Sequence, residues 1–125
     1  MAKIMVVDDE GDTLVLVKAV LEGTFEVTCF ESSVVALKEL RDGKILPDLI
    51  LLDMRMPELS GPEFCKELRK DSRFNGVNVV FFTASSEFDK SLARSSGAMG
   101  FIFKPFDNDK IIKDINDFLK TPLDV

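Results

Sequence analysis

At 125 residues, 46% hydrophobic and 30% charged, the chain suits one globular domain able to bury its own core rather than a disordered segment. It contains no His, which excludes His-based acid–base catalysis, Ser–His triads, a His-ligated zinc and a phosphohistidine carrier, and its net charge of −6 argues against direct nucleic-acid binding. No apolar run approaches the ~20 residues of a membrane span and no signal-peptide pattern opens the chain, so a soluble, cytoplasmic domain is expected, with Cys29 and Cys65 as buried free thiols.

Along the chain, apolar strand-like runs alternate with helical periodicity. Residues 3–7 read as a first strand, and residues 11–22 as a helix with Leu14, Val17 and Leu21 on one face. Phe25 to Cys29 reads as a second strand with more alternation, suited to a sheet edge. Ser32 is placed to cap a second helix carrying Leu37 and Leu40, which ends near Gly43. Pro47 precedes a third strand, Leu49 to Leu52, and a loop from Met54 to Ser60 leads to a third helix over 62–70 with Phe64 and Leu68. Asn75-Gly76 marks a turn before a fourth strand, Val79 to Phe82. A short polar helix over 87–95 follows, anchored by Phe88 and Leu92. Gly97 and Gly100 bracket the entry to a fifth strand, Phe101 to Phe103, which Pro105 ends. Ile111, Ile112, Ile115, Phe118 and Leu119 then give a strongly amphipathic last helix.

Five strands alternating with five helices predict a single-domain doubly wound α/β sandwich, (βα)5. Its parallel sheet is covered on both faces because four strands are nearly all apolar. Core packing is the default for the eleven Phe residues, with Phe88 and Phe106 expected to be the most exposed because they lie in polar or loop contexts. Thr121 to Val125 is expected to be a tail or the start of a linker, leaving residues 1–120 as the domain.

In a parallel sheet the C-terminal strand ends share one edge, where open α/β sheets bind ligands. Asp8-Asp9, Asp53, Thr83 and Lys104 all follow strand-like runs and converge there. Each has an ordinary reading: Asp8-Asp9 as a helix cap, Asp53 as a turn residue, Thr83 as a strand end or cap, Lys104 as a surface residue before a turn. Together they offer three mutually repelling carboxylates suited to a hard cation such as Mg²⁺, with a hydroxyl and an ammonium able to meet phosphoryl oxygens. A cis bond at Lys104-Pro105 would account for a sharp exit from the last strand.

The ordered set Val6-Val7-Asp8-Asp9-Glu10, Asp48 to Met54, Met56-Pro57 with Gly61, Thr83-Ala84, Gly97-Ala98 and Lys104-Pro105-Phe106 resembles the response-regulator receiver domains of two-component signalling, the CheY-like family. The resemblance covers essentially the whole chain and implies a flavodoxin-like fold with strand order 2-1-3-4-5. It implies Asp53 as phospho-acceptor, and Mg²⁺ held by Asp8, Asp9, Asp53 and the backbone carbonyl of Arg55. Thr83 and Lys104 would contact the phosphoryl group, with Thr83 and Phe101 as switch residues. Implied partners are a sensor histidine kinase or phosphotransfer protein, and an output protein or domain meeting the fourth helix, fifth strand and fifth helix. A phosphorylation-dependent dimer is compatible with this, and no direct contact with nucleic acid or membrane is implied. Such a domain is a signalling switch, an enzyme only toward its own phosphorylation and dephosphorylation. The alternative is a Mg²⁺-dependent aspartyl phosphatase of the haloacid dehalogenase class, which places a second Asp two residues after the nucleophile, where this chain has Arg55.

Overall fold

The computed structural model describes residues 1–120. The strands are β1 (Lys3–Val7), β2 (Glu26–Phe30), β3 (Leu49–Leu52), β4 (Asn78–Ala84) and β5 (Gly100–Lys104); the helices are α1 (Gly11–Leu21), α2 (Ser33–Arg41), α3 (Gly61–Arg69), α4 (Lys90–Ser95) and α5 (Asn108–Lys120). All strands pair in parallel in the order β2-β1-β3-β4-β5.

Successive strand residues point to opposite faces, and this sorts the apolar runs into two cores. Met5, Val7, Ile50, Leu52, Val79 and Phe81 pack with Leu40 of α2 and Phe64 and Leu68 of α3. Ile4, Val6, Leu49, Leu51, Val80 and Phe82 pack on the other face with Val17 and Leu21 of α1 and Ile111 and Ile115 of α5. Every residue of β3 is buried, as expected of a central strand covered on both sides.

Helix starts follow local chemistry. Ser32 accepts from the Val35 amide at 3.2 Å, and Ser60 and Glu63 form a reciprocal capping box. Cys65 is buried and Cys29 half-buried, both as free thiols.

Three expectations are corrected. Residues 85–87 form a 3-10 turn and α4 is only six residues long, so Phe88 precedes the helix instead of lying on it. Leu92 is 39% exposed and the buried anchor of α4 is Ala93, because this short helix turns its smallest apolar residue to the sheet. The most exposed Phe side chains are Phe101 and Phe103, at 43% and 38%, because β5 is an edge strand, paired on one side only. Phe88 and Phe106 are half-buried instead: Phe88 packs on Phe101 and Phe103, and Phe106 lies 5.9 Å from Phe82 between ring centroids. The expected tail, 121–125, lies outside the described residues.

Candidate functional site

The sheet order reverses beside β1: the chain leaves β1 for β2 on one side and returns to β3 on the other. A cleft at such a switch point is where this architecture binds ligands. Val7 and Leu52 are register partners, so Asp8 and Asp53, the next residues, leave the sheet side by side. Both are held by continuation of the ladder: Asp53 N donates to Val7 O at 3.0 Å and Asp8 N to Phe30 O at 3.1 Å. Thr83 sits within β4, and Lys104 ends β5 opposite Ala84. The Lys104–Pro105 peptide bond is cis.

Asp8, Asp53 and Thr83 are almost completely buried. The Lys104 ammonium stands among the acids, 2.6 Å from Asp8 Oδ2, 3.3 Å from Glu10 Oε1 and 3.6 Å from Asp53 Oδ2. It also lies 5.2 Å from the centre of the Phe82 ring. Asp8 Oδ2 is paired by this ammonium; among the described residues, the other buried side-chain oxygens without a hydrogen-bond partner are Asp53 Oδ1 and Thr83 Oγ1, both at this site. Buried polar atoms are seldom left unmatched, so these two mark where a ligand would be held.

Burial pushes the Asp53 carboxyl from 3.8 up to about 6, and the Asp8 charge adds to this; Lys104, the Arg55 amide and the Thr83 hydroxyl pull the other way. Burial also raises Asp8, against the pull of Lys104 and of the Glu10 amide, which donates to Asp8 Oδ1 at 2.9 Å. Burial works against the Lys104 ammonium, yet Asp8, Asp53 and Glu10 together hold its pKa above the ordinary value. One ammonium among three carboxylates leaves the site short of positive charge. Ligand oxygens of Asp8, Glu10 and Asp53 lie within 4.8 Å of one another, and this hard oxygen set fits a divalent cation.

The site therefore gathers Asp8, Asp53, Thr83 and Lys104 as the strand-end argument expected. Asp9 lies outside the three-carboxylate group; it is exposed and lines an adjoining concavity with Met54, Arg55, Met56, Pro57 and Ser60. Phe101 points outward, its ring 4.5 Å from Phe88 and 4.8 Å from Phe103. Glu10 was read from sequence only as part of an acidic run. Its pairing with Lys104 joins the first and last strand ends, and no local pattern announces it. Gly61, part of the motif that carries the family resemblance, has a steric reason to be glycine: its amide donates to Met54 O at 2.9 Å, and a Cβ there would collide with the Asp53 carbonyl and the Phe81 ring.

Comparison with known proteins agrees with this geometry. The model of the family described as response regulator receiver domain matches residues 4–116. The DNA-binding response regulator MtrA of Mycobacterium tuberculosis is 33% identical over 120 residues, which make up 94% of this chain and 50% of MtrA. The alkaline phosphatase synthesis transcriptional regulatory protein PhoP of Bacillus subtilis is 39% identical over 106 residues, covering 83% of this chain and 42% of PhoP. Among solved structures, the chemotaxis response regulator CheY4 of Vibrio cholerae superposes with a TM-score of 0.84 at 28% identity, covering 94% of this chain and 98% of that one. The chain spans about half the length of the curated relatives it matches. With family, relatives and fold in agreement, the chain belongs to the response regulator receiver domains, the switch modules of two-component signalling.

Proposed function

We propose that this domain accepts a phosphoryl group on Asp53, in a Mg²⁺-dependent reaction, from a phosphohistidine of a sensor kinase or phosphotransfer protein. The observation that carries this reading is the burial of Asp8, Asp53 and Thr83 around the Lys104 ammonium, with Asp53 Oδ1 and Thr83 Oγ1 left unmatched. An Asp53 oxygen attacks phosphorus, the bond to the donor nitrogen breaks, and its electron pair leaves with the donor. With a pKa of about 6, Asp53 is mostly ionised at neutral pH, so the nucleophile needs no general base. Lys104 meets the incoming phosphoryl oxygens as a point charge and Thr83 as a hydroxyl donor. Asp8, Asp9, Asp53 and the Arg55 carbonyl would hold Mg²⁺, which when bound neutralises charge and orients the phosphoryl oxygens. The haloacid dehalogenase alternative is disfavoured because Arg55 stands where that class needs its acid.

The phosphoryl group adds up to about two negative charges, and Thr83 and Lys104 are the groups able to answer it. Phe101 then rotates inward as Thr83 is drawn toward the phosphoryl group, changing the face of α4, β5 and α5. That face meets the output protein or domain, or a second phosphorylated copy. In this reading, residues 1–120 act as a cytoplasmic module that catalyses only its own phosphorylation and dephosphorylation.

Incubation with acetyl phosphate and Mg²⁺ tests the assignment. A hydroxylamine-sensitive mass increase is expected on Asp53 and is lost in Asp53→Asn. Phosphate on Thr83 or a Ser in the wild type overturns the scheme.

A further inference from the structure

Glu10 occupies the N-cap position of α1, where an acidic side chain ordinarily accepts from the first helical amides. Here it makes no such bond. Its carboxylate instead reaches across the site to Lys104 at 3.3 Å, while its backbone amide donates to Asp8 Oδ1 at 2.9 Å. Lys104 is thereby gripped by Asp8 from below and Glu10 from the solvent side, with Asp53 the most distant of its three carboxylates. The Lys104 side chain is 16% exposed and Glu10 64%, so Glu10 forms the outer wall of the ammonium's position.

We infer that Glu10 is a positioning residue for Lys104. It holds the ammonium toward Asp8 in the unphosphorylated state and so opposes the move that Lys104 makes onto a phosphoryl group at Asp53. This rests on the function proposed above and adds a restraint to it: the domain's affinity for a phosphoryl group is set partly by a carboxylate that need not touch that group. Glu10 lies within reach of Asp8 and Asp53 as a metal ligand as well, and the experiment separates the two roles.

Beryllofluoride, which mimics a phosphoryl group on a carboxylate, serves as the probe, with Mg²⁺ present and binding followed by calorimetry. Releasing a half-exposed ion pair predicts that Glu10→Gln binds the probe about two- to fivefold more tightly. In a Lys104→Met background the same change is expected to have no effect, because the residue it acts through is gone. Binding is read at saturating Mg²⁺, so that a change in metal affinity does not enter the comparison. An equal gain with and without Lys104 reduces Glu10 to a general charge effect and overturns the inference. The Lys104 side-chain NMR signals give a reading that needs no Lys104 variant: they shift in Glu10→Gln if the pair exists in solution, and their constancy rejects it. Failure of the wild type to bind the probe at Asp53 instead counts against the proposed function itself.

Discussion

Burying Asp53 next to Asp8 costs the fold stability. The folded carboxyl titrates near 6 against 3.8 for the unfolded chain, so the folded state binds the extra proton between those values. Stability from this group is therefore present below about pH 4, is lost as pH rises through 6, and is missing at neutral pH. The shift corresponds to on the order of 2–3 kcal/mol. Without divalent cations, Asp53→Asn should be more stable than wild type at pH 7.5 by about that amount, with the gain fading toward pH 4. Urea denaturation across this range checks it, and parallel curves for the two proteins would show that Asp53 burial carries no such cost. Gly61 acts in the opposite sense. Its neighbours are backbone and a buried ring, which cannot yield to a methyl group. Gly61→Ala should cost about 2–3 kcal/mol in the same assay and slow labelling of Asp53, whose carbonyl it would displace.

At the scale of elements, β1, β3 and β4 were legible in the sequence because their burial on both faces leaves uninterrupted apolar runs. Strand β5 and helix α4 were less so, for a nonlocal reason: only the strand order makes β5 an edge, and that exposes Phe101 and Phe103. The convergence of Asp8, Asp53, Thr83 and Lys104 follows from parallel strands alone, whereas the Glu10–Lys104 pair depends on how far each side chain reaches across the cleft. Arg69 was missed for the same reason. It ends α3, yet its guanidinium donates to Phe74 O and Val77 O at 2.8 Å and to Gly97 O at 3.3 Å, tying the turns on either side of β4 and α4 together. Gly97 has a φ of 95°, a conformation that favours glycine. Arg69→Met leaves these carbonyls without their charged donor and should cost about 2–3 kcal/mol by urea denaturation. A loss within experimental error would mean that solvent serves the carbonyls as well as Arg69 does.

For the whole molecule, the proposed function links metal, phosphoryl group and output face through one thermodynamic balance. Mg²⁺ at ten times its dissociation constant should stabilise the fold by about 1.4 kcal/mol. On the assignment above, Asp9→Asn abolishes the corresponding rise in melting temperature and Glu10→Gln preserves it. The reverse pattern would move the metal from Asp9 to Glu10. Switching needs more than binding. Taking a two-state equilibrium from mostly off to mostly on requires about 5.5 kcal/mol of differential stabilisation, and one charge-assisted hydrogen bond supplies roughly 1.5–3 kcal/mol. Thr83, Lys104 and the metal must therefore act together, against aromatic contacts of Phe101 with Phe88 and Phe103 that favour the outward ring. Thr83→Ala removes one of the three while leaving the Asp53 nucleophile intact, so it should still take up beryllofluoride but respond weakly. In the wild type, amide shifts on adding the probe should spread through residues 84–106 and reach Phe88. In Thr83→Ala they should remain near Asp53. Shifts that cluster on α2 in the wild type, sparing β5, would place the switching face elsewhere on the molecule.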